Sequence, residues 1–202
     1  MQKRILMSDV AVDFGLRANY TIQVVSIKPK LGDIFYSLNN SDKVEQIVAG
    51  EDSPLGKFLQ IQHKDQSPWL LEIFGDQDAN SSQGIYACPN PDYFLAVIDC
   101  IAFYISSKLP FYARVIDADY VRAVHSYPNL GFMLIVDFTS MTAIDSSGIL
   151  WASNRLVLDE LKITSVTNDE IFCEGRQDLS FDDSVVISRL DGRILKRGFN
   201  TE

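Results

Sequence analysis

A chain of 202 residues, 47% hydrophobic and 22% charged, is long enough to bury a sizeable core and too apolar to be mainly disordered. Eighteen basic against 27 acidic side chains give a net charge of −9 at pH 7. That charge argues against nucleic acid as a partner, because phosphate binding needs clustered Lys and Arg, and the only basic pairs, Lys3-Arg4 and Lys196-Arg197, are short.

The N-terminal dozen residues carry no cap or period. From Asn19 an alternating pattern predicts a strand over Tyr20 to Ile27, stopped at Pro29. Asp33 to Leu38 reads as a strand or a helical turn. Ser41 is placed to cap a short helix over Asp42 to Ala49, closed by Gly50. Lys57 to His63 and Trp69 to Phe74 flank the turn-like Lys64 to Pro68, which predicts a hairpin. Residues 76–84 are almost wholly Asp, Gln, Asn, Ser and Gly, a linker composition. They divide a single domain of 1–202 into sub-regions 1–75 and 85–202.

Residues 92–106 fit two readings. Ile98, Ile101, Ala102 and Ile105 sit at helical spacing, while the β-branched and aromatic content favours strands. The final third reads as short strands at about ten-residue spacing: 111–116, 121–126, 131–138, 141–145, 149–152, 161–167, 170–174, 184–190 and 193–197. Asp191-Gly192 is a strong hairpin signal. The expected fold class is α+β, predominantly antiparallel β, with meander sheets in a sandwich or blade-like arrangement and few short helices.

Cys88, Cys100 and Cys173 are odd in number and lack a CxxC, so buried free thiols are expected, with no disulfide framework and no zinc site. The longest apolar run, Phe94 to Ile105, is broken by Asp99 and falls short of the roughly 20 residues a membrane span needs. No secretory leader pattern precedes Ser8-Asp9. These features predict a cytoplasmic protein without membrane contact.

The segment from Leu134 to Leu150, with Asp-Ser-Ser-Gly at 145–148, resembles the core signature of STAS domains, the anti-sigma-factor antagonists. The resemblance implies a helix opening after the turn, with Ser146 as a kinase phosphosite and Asp145 its neighbour. The chain departs from that family after Leu150, where Lys162 to Val166 has a strand period. The same residues, Thr142 to Trp151, also resemble the strand-turn-strand unit of PQQ-type propeller blades. Val186 to Leu195 resembles it again about 45 residues later. This second resemblance implies that Asp145 accepts turn hydrogen bonds, that Gly takes a positive φ, and that Trp151 packs on a sheet face.

No catalytic motif is present, and no cofactor is expected. His63 and His125 are the sole side chains suited to neutral-pH base work, and each lies in a strand pattern. Asp117 and Asp119 share one face of an extended segment and read as a solvated pair, and Asp182-Asp183 reads as turn polarity. Trp69 and Trp151, with Tyr86, Tyr93, Tyr112 and Tyr127, are candidates for an aromatic binding patch. The expected binding residues are therefore Asp145, Trp151, Trp69 and His125. The expected function is a non-enzymatic protein-interaction module of inhibitor or immunity type, with a phosphorylation switch at Ser146 or a hydrolase with an unrecognised His/Asp site as alternatives.

Overall fold

The computed structural model describes residues 5–7, 10–13, 15–38, 44–51, 56–72, 84–98, 100–108, 113–118, 120–177 and 182–199. Among the described residues the structure is nearly all antiparallel strand, arranged in four open sheets. The expectation of an α+β chain with few short helices overstates the helix: among the described residues the one helical element is a 3₁₀ turn at Pro128–Leu130. No helix there is long and apolar enough to cross a membrane. The chain divides into two compact units, Met1–Ile116 and Asp117–Glu202.

The first unit holds β1 (Ile5–Met7), β2 (Val10–Asp13), β3 (Tyr20–Ile27), β4 (Ile34–Leu38), β5 (Val44–Val48), β6 (Gly56–His63), β7 (Trp69–Glu72), β8 (Gly84–Ala87), β9 (Tyr93–Ile98), β10 (Ile101–Ser106) and β11 (Ala113–Val115). They form a six-stranded sheet, β1-β2-β8-β9-β10-β11, and a five-stranded sheet, β3-β6-β7-β4-β5. Pairing is antiparallel except at β2–β8 and β4–β7. The core between the sheets draws Tyr20, Ile22, Leu59, Ile61 and Leu71 from one and Ile85, Phe94, Ala96, Phe103 and Ile105 from the other. Each buried Ile, Leu and Phe among them contributes roughly 1.5–3 kcal/mol. The alternation in β3 follows directly: Tyr20 and Ile22 face this core while Thr21 and Gln23 meet solvent.

Two segments with a helical reading contain strands. Tyr93–Ile98 and Ile101–Ser106 form the β9–β10 hairpin, with Ile98 opposite Ile101 and Cys100 in the left-handed region at φ 64°. The helix expected over Asp42 to Ala49 is overturned, because Val44–Val48 is β5, paired along its length with β4. Cross-strand pairing of Ile47 with Phe35 outweighs the cap signals of Ser41 and Gly50. Ser41 itself lies outside the described residues. So do 76–83 of the polar stretch, which runs between β7 and β8 of this same unit, and Gly84 opens β8.

The second unit holds two four-stranded antiparallel meanders. The first comprises β12 (Ala123–Tyr127), β13 (Phe132–Val136), β14 (Met141–Asp145) and β15 (Gly148–Ala152). The second comprises β16 (Asp159–Val166), β17 (Glu170–Arg176), β18 (Asp182–Ser188) and β19 (Ile194–Phe199). β13 is buried on both faces, which is why its sequence is an unbroken apolar run. Phe132, Leu134, Val136, Met141, Ala143 and Trp151 of the first meander pack against Ile171, Cys173, Val185 and Ile187 of the second. Asp182-Asp183, read as turn polarity, begins β18, and Asp183 is buried.

Candidate functional site

The β14–β15 hairpin turns through Ser146 and Ser147, between the paired residues Asp145 and Gly148. Asp145 Oδ1 accepts both the Ser147 N–H (2.7 Å) and the Ser147 hydroxyl (2.6 Å), which closes the turn. Gly148 has φ +120°, and a β-carbon there would meet open space. The residues after Gly148 are a strand, so the helix implied by the STAS resemblance is replaced by β15. Ser146 is exposed, but it has no helix N-terminus to favour a phosphate dianion, and Asp145 stands beside it in sequence.

The β18–β19 turn is longer. Ser188 donates its N–H to the Arg193 carbonyl (2.8 Å) and accepts from Gly192 (2.9 Å), leaving Arg189 to Gly192 as the loop. Trp151 reaches this loop from the neighbouring sheet. Its indole Nε1 donates to the Arg189 carbonyl at 2.8 Å, and its ring covers Gly192, which sits at φ +69°. Arg189 also donates from Nε to the Asn168 carbonyl, and its guanidinium stands 5.2 Å from the Phe132 ring centroid. The Arg189 N–H donates to the Asp169 carbonyl at 2.8 Å. A surface loop is thus fixed by contacts to three other elements, while Leu190 at its tip is 65% exposed.

The registers of the two hairpins match. In the first, 145 pairs with 148, 144 with 149 and 143 with 151, so a bulge leaves Leu150 out. In the second, 188 meets 193, 187 pairs with 194 and 186 with 196, so the bulge leaves Leu195 out. Leu150 and Leu195 are similarly exposed, at 39% and 44%. By this register Trp151 corresponds to Lys196. The face carrying Ala143 and Trp151 is buried against the second meander, and the matching face there carries Val186 and Lys196 outward. The two sheets therefore stack in the same sense.

His125 is half-buried on the face that carries Tyr127, stacked with that ring at 6.5 Å, and Tyr127 stacks on Phe132 at 5.1 Å. Desolvation pushes the His125 pKa down. Asp145, Ser146 and Trp151 thus belong to one hairpin of this unit, while His125 lies on β12, separated from that hairpin by β13. Trp69 belongs to the other unit. Its indole N–H donates to the Ser107 carbonyl (2.9 Å), and its ring meets Tyr36 edge-on at 5.6 Å. Tyr93 stacks on Tyr104 at 4.6 Å in that same unit, so the expected aromatic patch is divided between the two units; Tyr112 lies outside the described residues.

The sequence alone did not reveal that His63 meets a carboxylate. His63 is fully buried, with Nε2 3.3 Å from Asp92 Oδ1 and Nδ1 accepting the Asp65 N–H at 3.2 Å. Asp92 also accepts from Asn19 Nδ2 (2.7 Å) and Lys108 Nζ (2.5 Å). Those donors, Lys108 first, hold its carboxyl well below the usual carboxylate range. Both imidazole nitrogens are engaged within the fold, leaving neither for a substrate proton. No local signal marks this pairing, because its partners come from 29 residues apart.

Asp117 is exposed, and Asp119 lies outside the described residues. Among the described residues no group of three or more His, Cys, Asp or Glu is placed to hold a metal ion. Cys88, Cys100 and Cys173 are free and buried. No protein-family model matches the chain, and no curated protein matches it.

Proposed function

We propose that the chain is a non-enzymatic protein-interaction module, of inhibitor or immunity type, and that the turn rim of the second unit is its contact surface. The observation that carries this reading is the Arg189–Gly192 loop. It is clamped by Trp151, Asn168 and Asp169 yet presents Leu190 to solvent. A rigid loop loses little entropy on binding, and an apolar tip on it is suited to act as an anchor. Burying one leucine is worth about 2 kcal/mol, roughly thirtyfold in Kd. The phosphorylation alternative draws on the exposure of Ser146 in the adjoining turn; modification there would add charge to the same rim. The hydrolase alternative is disfavoured by the engagement of both His63 nitrogens.

The test is a cross-linked pull-down from the native host with the full chain, comparing wild type, Leu190→Asp and Ser146→Asp. Circular dichroism would confirm that each variant folds. A protein enriched by wild type and lost with Leu190→Asp supports the reading. Enrichment no greater than in controls, or insensitive to Leu190→Asp, overturns it.

A further inference from the structure

We propose a second contact on the same unit: the open edge of β19 takes an acidic, extended segment of a partner protein as an added strand. The proposal rests on the interaction-module reading and names a partner chemistry for it. Among the described strands β19 pairs with β18 alone, so its far edge offers backbone donors and acceptors to another chain. All side chains from Arg193 to Arg197 are exposed, including the apolar Ile194 and Leu195.

Charge selects the occupant. Residues 117–202 carry eight Lys and Arg against fourteen Asp and Glu, yet three of the eight, Arg193, Lys196 and Arg197, fall within five residues on this edge, with no acid among them. Arg197 Nη1 is held by the Leu156 carbonyl at 3.0 Å, and Arg193 Nε stands 3.5 Å from Asp191. Lys196 makes no ion pair with a described residue. A second copy is a poor occupant, because antiparallel pairing of β19 with itself brings the two Lys196-Arg197 pairs together, and like charges across strands repel. The same cations that disfavour self-pairing favour a Glu- or Asp-rich strand.

The experiment uses the full chain and an end-blocked octapeptide alternating Glu and Val, read by fluorescence anisotropy at low and high salt and by hydrogen exchange. The expected result is salt-sensitive binding, new protection of β19 amides, and at least tenfold weaker binding to Lys196→Glu. N-methylation along one edge of the peptide should abolish binding, and along the other edge leave it intact. Equal binding by a Lys-Val peptide, no effect of N-methylation on either edge, or no binding at millimolar peptide overturns the proposal. If the host protein captured through Leu190 is retained by Lys196→Glu and the peptide does not bind, the edge proposal fails while the interaction-module reading stands. If the peptide binds as expected and no host protein is captured, the reverse holds.

Discussion

The ring of Trp151 occupies the space that a β-carbon on Gly192 would fill. A β-carbon there would lie 2.6 Å from Cε3 and 2.8 Å from Cδ2 of the indole. Gly192 also needs φ +69°, which L-residues adopt at a cost of roughly 1–2 kcal/mol. Gly192→Ala therefore meets strain and overpacking together, and a destabilisation of about 3 kcal/mol is expected. Gly148→Ala at the matching hairpin also meets a positive φ, but open space, and should cost about 1–2 kcal/mol. Urea unfolding of both variants checks this; equal losses would mean the Trp151 contact carries no weight.

The polar end of the same contact can be separated from the apolar one. Trp151→Phe keeps most of the ring area but removes the N–H that the Arg189 carbonyl accepts. A loss of about 1–2 kcal/mol is expected, against roughly 3–5 kcal/mol for Trp151→Ala. The loop should also loosen, so faster hydrogen exchange at Leu190 to Gly192 in Trp151→Phe is the second readout. Unchanged exchange there would show that Trp151 does not rigidify the loop.

Local chemistry made much of this architecture legible in advance. Asp-Gly at 191–192 and Asp-Ser-Ser-Gly at 145–148 carry turn signals in their own side chains, and both are hairpins. The β5 segment misled because Ser41 and Gly50 mimic helix caps, while the deciding contact, Ile47 with Phe35, lies outside the segment. The correspondence of Trp151 with Lys196 was hidden for a related reason. Matching the glycines puts Leu195 opposite Trp151, but the second loop has four residues between its closing pair where the first has two. Register, not spacing from Gly, decides the equivalence. The His63–Asp92 contact was hidden too, since no spacing rule links residues joined only by sheet packing.

Asp92 should behave as an acid-sensitive staple of the first unit. Its carboxylate joins Asn19 and His63, from the β3–β6 side, to Lys108 after β10. Its folded pKa lies below the unfolded value of about 3.9. A depressed carboxylate contributes stability above the unfolded pKa and loses it as pH falls through the folded pKa. Asp92→Ala leaves the buried His63 Nε2 without its acceptor and should cost about 2–4 kcal/mol at pH 7. The gap between wild type and variant should narrow below about pH 4. A gap that stays constant down to pH 2 would show that ionisation of Asp92 is not what stabilises.

Cysteine labelling tests the burial of both units at once. Burial pushes the Cys173 thiol up to about 12 and the Cys88 thiol well above its ordinary value, so neither holds appreciable thiolate at pH 8. Cys100 is buried as well. Native protein should react with a small disulfide reagent only as it opens, over hours rather than seconds, while all three thiols react at once in urea. Rapid labelling of one thiol in the native state would place that cysteine at the surface.

The pH response of the second unit should run in one direction near neutrality. Desolvation lowers the pKa of His125, so the folded state holds the neutral ring more firmly than the unfolded chain does. As pH falls below the unfolded value of about 6.5, the unfolded state takes up the proton first, and stability declines until the folded pKa is reached. Desolvation is the cause of the shift, and both the stacked Tyr127 and the cross-strand Leu134 are uncharged in this range. His125→Leu removes that proton uptake. The urea midpoint of the variant should therefore fall less between pH 7 and pH 5 than that of wild type, with His63 common to both. A wild-type midpoint that rises over this range relative to the variant would reverse the sign and place a stabilising anion beside His125.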